Sequence, residues 1–166
     1  MTKKLNQTAY YKSPIGWLKI DGDGNEIVAV NFVTKPRIRV TKDPLLQRAL
    51  IEIHEYFNGK RERFTLKLRF TGTSFQQKVW SKLCKINCGD KASYRTIAAL
   101  AGRPQAFRAA ANAISRNRMA VLVPCHRVVA SGGAISGYSG GVWRKKWLLE
   151  HEAKFKLRKA RGAQRS

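Results

Sequence analysis

Cysteine, proline and acidic residues are all scarce in this chain. Three cysteines in 166 residues, Cys84, Cys88 and Cys125, are an odd number and too few for a disulfide framework, which points to free thiols in a reducing compartment. Only 5 prolines accompany 43% hydrophobic and 10% aromatic residues. That is enough apolar surface to offset the entropy of ordering, so a disordered basic tail protein is excluded and one or two small domains are expected. No apolar run approaches the roughly 20 residues of a membrane span. The opening residues, Met1-Thr2-Lys3-Lys4-Leu5-Asn6-Gln7, precede no apolar signal segment. A soluble, unsecreted protein without membrane contact is expected, cytoplasmic or, in a eukaryote, nuclear.

The shortage of acid is the strongest compositional signal. Ten Asp and Glu face 33 Lys and Arg, giving a formal charge of +23 and a pI near 10.7. Residues 1–90 carry 17 basic and 8 acidic side chains, and residues 91–166 carry 16 and 2, so both parts are positive and the second more so. Such an excess implies an anionic polymer as partner, since each neutralised phosphate releases counterions. Nucleic acid fits best, against the alternatives of a merely solvated surface or a membrane-surface binder. The last stretch, with Lys154, Lys156, Arg158, Lys159, Arg161 and Arg165 and no acid, is expected to fray into a flexible basic tail over residues 154–166.

Three strands in a meander are predicted over Thr8–Lys12, Trp17–Ile20 and Ile27–Phe32, separated by Ser13-Pro14-Ile15-Gly16 and Asp21-Gly22-Asp23-Gly24-Asn25. The second turn superficially suggests a calcium loop, but it lacks a flanking helix and a closing glutamate, so it reads as a hairpin turn. Asp43-Pro44 starts a helix whose apolar face is Leu46, Leu50, Ile53 and Phe57. Thr65–Phe70 alternates as an edge strand would, and Thr71-Gly72-Thr73 marks a boundary. The expected domains are therefore residues 1–72 and 73–153, then the tail. Ser74 and Gln77 form a candidate capping box for a helix with Phe75, Val79, Leu83 and Ile86 on its stripe. Cys84 and Cys88 have no second ligand pair at zinc spacing and read as packing residues. Ser93 caps a helix over Tyr94–Ala101, Gly102-Arg103-Pro104 breaks it, and another begins at Gln105 or Ala106 and runs to about Ser115. This is helix-turn-helix spacing. Ala109-Ala110-Ala111 after Arg108 leaves two uses open: close approach to a partner or core packing.

Met119–Val123 reads as a buried strand that runs into Pro124-Cys125-His126-Arg127 and resumes at Val128-Val129-Ala130. Burying an imidazole and a guanidinium is costly unless they are paired, so packing alone does not explain them. Beside His126 in a basic environment, Cys125 can be held partly as the nucleophilic thiolate. Ser131 to Gly141, rich in glycine around Tyr138, reads as a pocket wall that can wrap a planar ligand. Glu150 and Glu152 are the only acids after Asp90, so one of them is the candidate partner that orients His126.

Pro124-Cys125-His126-Arg127-Val128 followed by Gly137-Tyr138-Ser139-Gly140-Gly141 resembles the O6-alkylguanine-DNA alkyltransferases, also called methylated-DNA-protein-cysteine methyltransferases. The resemblance covers residues 74–152 without gaps and includes Trp147 to Glu152, Tyr94, Arg108 and Asn117. It implies an α/β (α+β) protein: a small ribonuclease H-like N-terminal domain with an antiparallel sheet, then a helical, winged-helix-like C-terminal domain. It further implies single-use repair by irreversible transfer of an alkyl group from O6 of a flipped-out guanine in double-stranded DNA to Cys125, with O4 of thymine left open. On this resemblance His126 is the base acting through a water and Glu152 completes the relay. Tyr94 donates to a guanine ring nitrogen, Asn117 braces the active-site turn and Arg127 is structural, holding domains or loops together. Pro124, Val128, Tyr138, Ser139 and Gly140 shape the pocket. Arg103, Arg108, Ala109, Ala110, Ala111 and Ser131 meet DNA, with Arg108 filling the vacated stack and its helix in the minor groove. A monomer without cofactor or metal is expected, since no cysteine precedes Cys84.

The chain departs from the family pattern at Ala110-Ala111, where valine-glycine is common, and at Arg118 and Ala120, where proline occurs. These positions bear on groove approach and pocket width. Two other readings compete. One is a lesion binder without chemistry, which the presence of Cys125 disfavours. The other is a cysteine hydrolase, which adjacent residues pointing to opposite sides of an extended segment disfavour.

Overall fold

The structure, a computed structural model, describes residues 7–165. The opening residues 1–6, expected to lead into no signal segment, and Ser166 at the end of the expected tail lie outside the described residues. The chain forms two compact units, one of Met1–Thr71 with Arg118–Leu122, the other of Gly72–Asn117 with Val123–Ser166. Among the described residues no helix is long and apolar enough to cross a membrane.

In the first unit, β1 (Gln7–Ser13), β2 (Gly16–Gly22) and β3 (Ile27–Val33) form an antiparallel sheet in sequence order. The acidic turn between β2 and β3 is an Asx turn: Asp23 Oδ1 accepts from the amides of Asn25 and Glu26, both at 2.9 Å, while Oδ2 pairs with Arg69. Helix α1 (Pro44–Phe57) starts where predicted, with Asp43 accepting from the Leu46 amide at 3.0 Å and Pro44 supplying a helical φ without needing a donor. Its buried side, Leu46, Ala49, Ile53 and Tyr56, joins Leu18, Ile20, Ile27 and Val30 in the core.

Two expectations for this unit are corrected. Thr65–Phe70 is not a strand; it makes one parallel bridge, Leu68 to Ile27. The buried carboxylate of Glu52 takes the Thr65 amide at 2.8 Å, so that donor is not available to a strand ladder. Met119–Val123 is likewise no strand. Met119 bridges Val30, with Val30 N donating to Arg118 O and Ala120 N to Val30 O at 2.7 and 2.9 Å. Val121 then takes φ 70°, a left-handed conformation that a β-branched residue adopts only when its surroundings enforce it.

In the second unit, α2 (Ser74–Leu83), α3 (Tyr94–Leu100), α4 (Phe107–Ser115) and α5 (Val142–Ala163) enclose a core of Val79, Leu83, Ile97, Ala98, Ala110, Ala113 and Leu148. The capping box of α2 lies one residue earlier than expected, on Thr73 and Gln76; Thr73 has the extended backbone that a cap requires. Trp80 Nε1 donates to the Ala113 carbonyl at 2.8 Å and ties α2 to α4. The turn from α3 to α4 needs Gly102 at φ 84°, which glycine adopts freely. Residues β4 (Ala92–Ser93) and β5 (Val128–Val129) pair in parallel. The expected fraying from Lys154 is corrected: α5 continues to Ala163. Residues 153–161 contain only good to moderate helix formers, with no glycine before Gly162, and the basic side chains suit a helix C-terminus.

Candidate active site

Pro124 leads into a 3-10 turn, Cys125–Arg127, and β5 follows at once. The turn presents three consecutive side chains in three directions, all buried: Cys125 is 4% exposed and His126 0%. Asn117, just after α4, reaches across the intervening loop. Its Nδ2 donates to Val123 O and to Cys125 Sγ, both at 3.1 Å.

Glu152, on the buried side of α5, collects the other two. His126 Nε2 lies 2.8 Å from its Oε1. Arg127 donates from Nε to Oε2 and from Nη2 to Oε1, both at 2.8 Å, and the Gly89 amide adds a bond at 3.0 Å. Arg127 Nη1 also donates to the Ile86 carbonyl at 2.5 Å. Burial alone would push the Glu152 carboxyl up, but the hydrogen bond and charge of His126 and those of Arg127 hold it far below the usual carboxylate range. Burial pushes the His126 imidazole down, against the pull of Glu152. The consistent state is an ionised Glu152 and a neutral His126 that donates from Nε2. The lone pair then sits on Nδ1, which is buried and has no hydrogen-bond partner among the described residues.

Burial also pushes the Cys125 thiol up, only partly offset by the Asn117 hydrogen bond. The expectation of a partial thiolate is therefore corrected: the resting group is a thiol, because desolvation outweighs the nearby donors.

Cys125 opens onto a cavity of about 470 Å³ lined chiefly by Tyr94, Ala111, Ile114, Cys125, Tyr138 and Ser139, within the range of small-molecule sites. The Tyr138 hydroxyl is buried without a partner among the described residues, and burial raises the phenol well above its ordinary pKa, so it is a neutral donor. Tyr94 Oη lies 3.4 Å from the Ser136 carbonyl.

The structure thus gathers Cys125, His126, Arg127, Glu152 and Asn117 into one network, and Tyr94, Ala111, Tyr138 and Ser139 around one cavity. Of the two candidate acids, Glu152 meets His126 while Glu150 is exposed. Pro124 and Val128 flank Cys125 but do not line the cavity, nor does Gly140, whose carbonyl accepts from Arg144 at 2.6 Å. The alanines of α4 divide their uses: Ala109 is exposed, Ala110 is in the core and Ala111 lines the cavity. Arg108 and Arg103 are exposed, their guanidiniums over the rings of Phe107 and Phe75 at 5.7 and 5.0 Å; Ser131 is exposed in the glycine-rich loop. Lys145 escaped notice in the sequence although it is buried. Its signal was a cation on the i, i+3, i+4, i+7 stripe of Leu148, Leu149 and Glu152.

The second unit thus joins a helix pair bearing exposed arginines to a buried cysteine with a polar network, and the chain that carries this site is similar to known proteins. The family profile described as "6-O-methylguanine DNA methyltransferase, DNA binding domain" matches residues 74–154, and that of the "ribonuclease-like domain" matches residues 7–70. The methylated-DNA–protein-cysteine methyltransferase of Methanosarcina barkeri is 38% identical over 147 residues, spanning 85% of this chain and 93% of that one. The Mycobacterium tuberculosis protein of the same name is 39% identical over 145 residues, spanning 84% and 88%. Among solved structures, Mycobacterium tuberculosis OGT in complex with DNA superposes with a TM-score of 0.81 at 37% identity, over 89% of this chain and 93% of that one. The O6-methylguanine methyltransferase of the same organism gives 0.80 at 35%, over 90% and 94%. This chain belongs to the methylated-DNA–protein-cysteine methyltransferase family.

Proposed function

We propose that this chain repairs alkylated DNA by direct reversal, moving the alkyl group from O6 of guanine to Cys125 in one irreversible event. The observation that carries this is a buried thiol at a cavity roomy enough for a nucleobase, next in the chain to an imidazole whose free nitrogen has no partner among the described residues. A water between His126 Nδ1 and Cys125 Sγ passes the thiol proton to the imidazole, and Glu152 stabilises the imidazolium that results. The thiolate attacks the alkyl carbon, the C–O6 bond breaks, and its electron pair returns to the guanine. Tyr94 donates to a ring nitrogen of the leaving base and the Ser139 amide to its oxygen, where charge builds. The product is a thioether, so the protein acts once.

A base inside a duplex cannot present its O6 substituent to a buried sulfur, so the nucleotide flips out, at a cost of a few kcal/mol in lost stacking and pairing. Arg108 fills the gap while α4 lies in the minor groove, with Ala109 allowing close approach and Arg103 and Ser131 meeting phosphates. Asn117 braces the cysteine turn, and Arg127 fixes Glu152. Residues 73–153 carry both DNA binding and chemistry; the protein works as a monomer in the cytoplasm or nucleus.

Intact mass after incubation with duplex DNA containing one O6-methylguanine tests the reading. The expected result is a gain of one methyl group, stopping at one equivalent, with none in Cys125→Ala. Tight lesion binding with no mass gain would mean recognition without repair.

A further inference from the structure

Lys145 is 1% exposed on the inner side of α5, and among the described residues it makes no ion pair. A lysine is almost never that buried without a carboxylate beside it. Its ammonium is met instead by two carbonyls, Ser136 O at 2.9 Å and Gly137 O at 3.2 Å, and by the ring face of Tyr94 at 5.9 Å. Ser136, Gly137 and Tyr94 all line the cavity that holds Cys125. The side chain therefore fastens the rim of that cavity to the helix that also carries Glu152.

Tethering alone does not require a charge, because a neutral amide can also donate to carbonyls. An apolar residue would fill this stripe beside Leu148 and Leu149 without the desolvation cost of a buried cation. The anion that would repay the cost forms only during reaction, at the sulfur of Cys125. We propose that Lys145 is a positioning residue for alkyl transfer, its ammonium holding the Ser136–Gly137 rim in place and supplying the fixed positive charge that favours the Cys125 thiolate.

Electrostatics is consistent with this: burial pushes the Cys125 thiol up and the Lys145 ammonium down, and each of the two opposes the other's shift. The charged and titratable groups around the sulfur and the ammonium come from several elements: His126 and Arg127 on the 3-10 turn, Tyr94 on α3, Tyr138 on the rim, and Arg144 and Glu152 on α5. His126 and Tyr138 are the neutral members, and the Arg127 charge is matched by Glu152. That leaves Lys145 as the buried cation without a carboxylate.

The inference rests on the alkyl-transfer reading, so two readouts are needed. One is the rate of methyl uptake from an oligonucleotide carrying O6-methylguanine. The other, independent of DNA, is the pH profile of Cys125 alkylation by iodoacetamide, followed by peptide mass so that Cys84 and Cys88 are scored apart. In Lys145→Gln and Lys145→Met the thiol profile moves up by about one pH unit and uptake at neutral pH falls about tenfold or more, one unit being a tenfold change in thiolate fraction. Lys145→Arg keeps the wild-type thiol profile. Uncharged variants with wild-type profile and rate overturn the proposal. If neither folds, the Nζ resonance of Lys145 in the wild type decides: it must move with the titration of Cys125 and cease to do so in Cys125→Ala, and an unresponsive resonance overturns the proposal equally. A wild type that takes up no methyl group sinks the transfer reading, while the thiol profile still tests Lys145.

Discussion

Glu152 shows how much one side chain can organise. Its carboxylate lies at 0% exposure with at least four donors on it, and they come from the cysteine turn and from the loop after α2. Both it and His126 have folded pKa values depressed from their ordinary ones, and the sign follows for each. His126 stays neutral when buried, so stability is full above its ordinary pKa of 6.5 and declines as pH falls below it, because the unfolded chain binds the proton and the folded one resists. Glu152 adds stability that is present above 4.5, its ordinary value, and lost as pH falls toward its depressed folded pKa. Thermal unfolding should thus show a loss beginning near pH 6.5 and steepening below 4.5. In Glu152→Gln the steeper part should shrink, and the midpoint should drop at every pH, since the Arg127 guanidinium loses its counter-ion. Breaking such a buried pair typically costs about 3–5 kcal/mol.

Much of this site was legible from residue types alone. Cys125, His126 and Arg127 interrupt an apolar run, and the shortage of acid after Asp90 left Glu150 and Glu152 as the candidate partners for His126. What could not be read was the thiol's resting state, which depends on burial summed over the whole neighbourhood, and Lys145, whose partners are backbone carbonyls that no side-chain pattern announces.

Among the elements, α1, α3 and α4 and the three-stranded meander follow local rules: caps, a first-turn proline, glycine breaks and alternation. The misread elements are those where a distant partner decides. Glu52 takes the Thr65 amide that a ladder would need, and Met119 is held by a single bridge to Val30. The cap of α2 differs by one residue because Thr73 and Ser74 offer the same hydroxyl, and only the backbone chooses between them. Thr73→Ala should lower unfolding free energy by about 1 kcal/mol, while Ser74→Ala should stay within about 0.5 kcal/mol. Chemical denaturation of the two variants side by side would reverse that order if the cap were Ser74.

For the molecule as a whole the ruling number is the charge of +23. Affinity for undamaged duplex should fall steeply with salt, by about 10³ to 10⁵ between roughly 50 and 200 mM if 6 to 10 phosphates are contacted. On the proposed reading, in which the cavity selects the lesion by fit, the preference for alkylated over undamaged DNA should change far less over that range. Parallel titrations of the two duplexes check this, and a preference that collapses along with the affinity would place recognition on the phosphates.

The short run Arg118–Leu122 is counted with the sheet unit, whereas Asn117 before it and Val123 after it belong to the other. The polypeptide therefore passes between the units three times, and a cut between residues 71 and 72 does not separate them cleanly. A recombination event there would transplant a reactive half still carrying five residues that belong to the sheet it left behind.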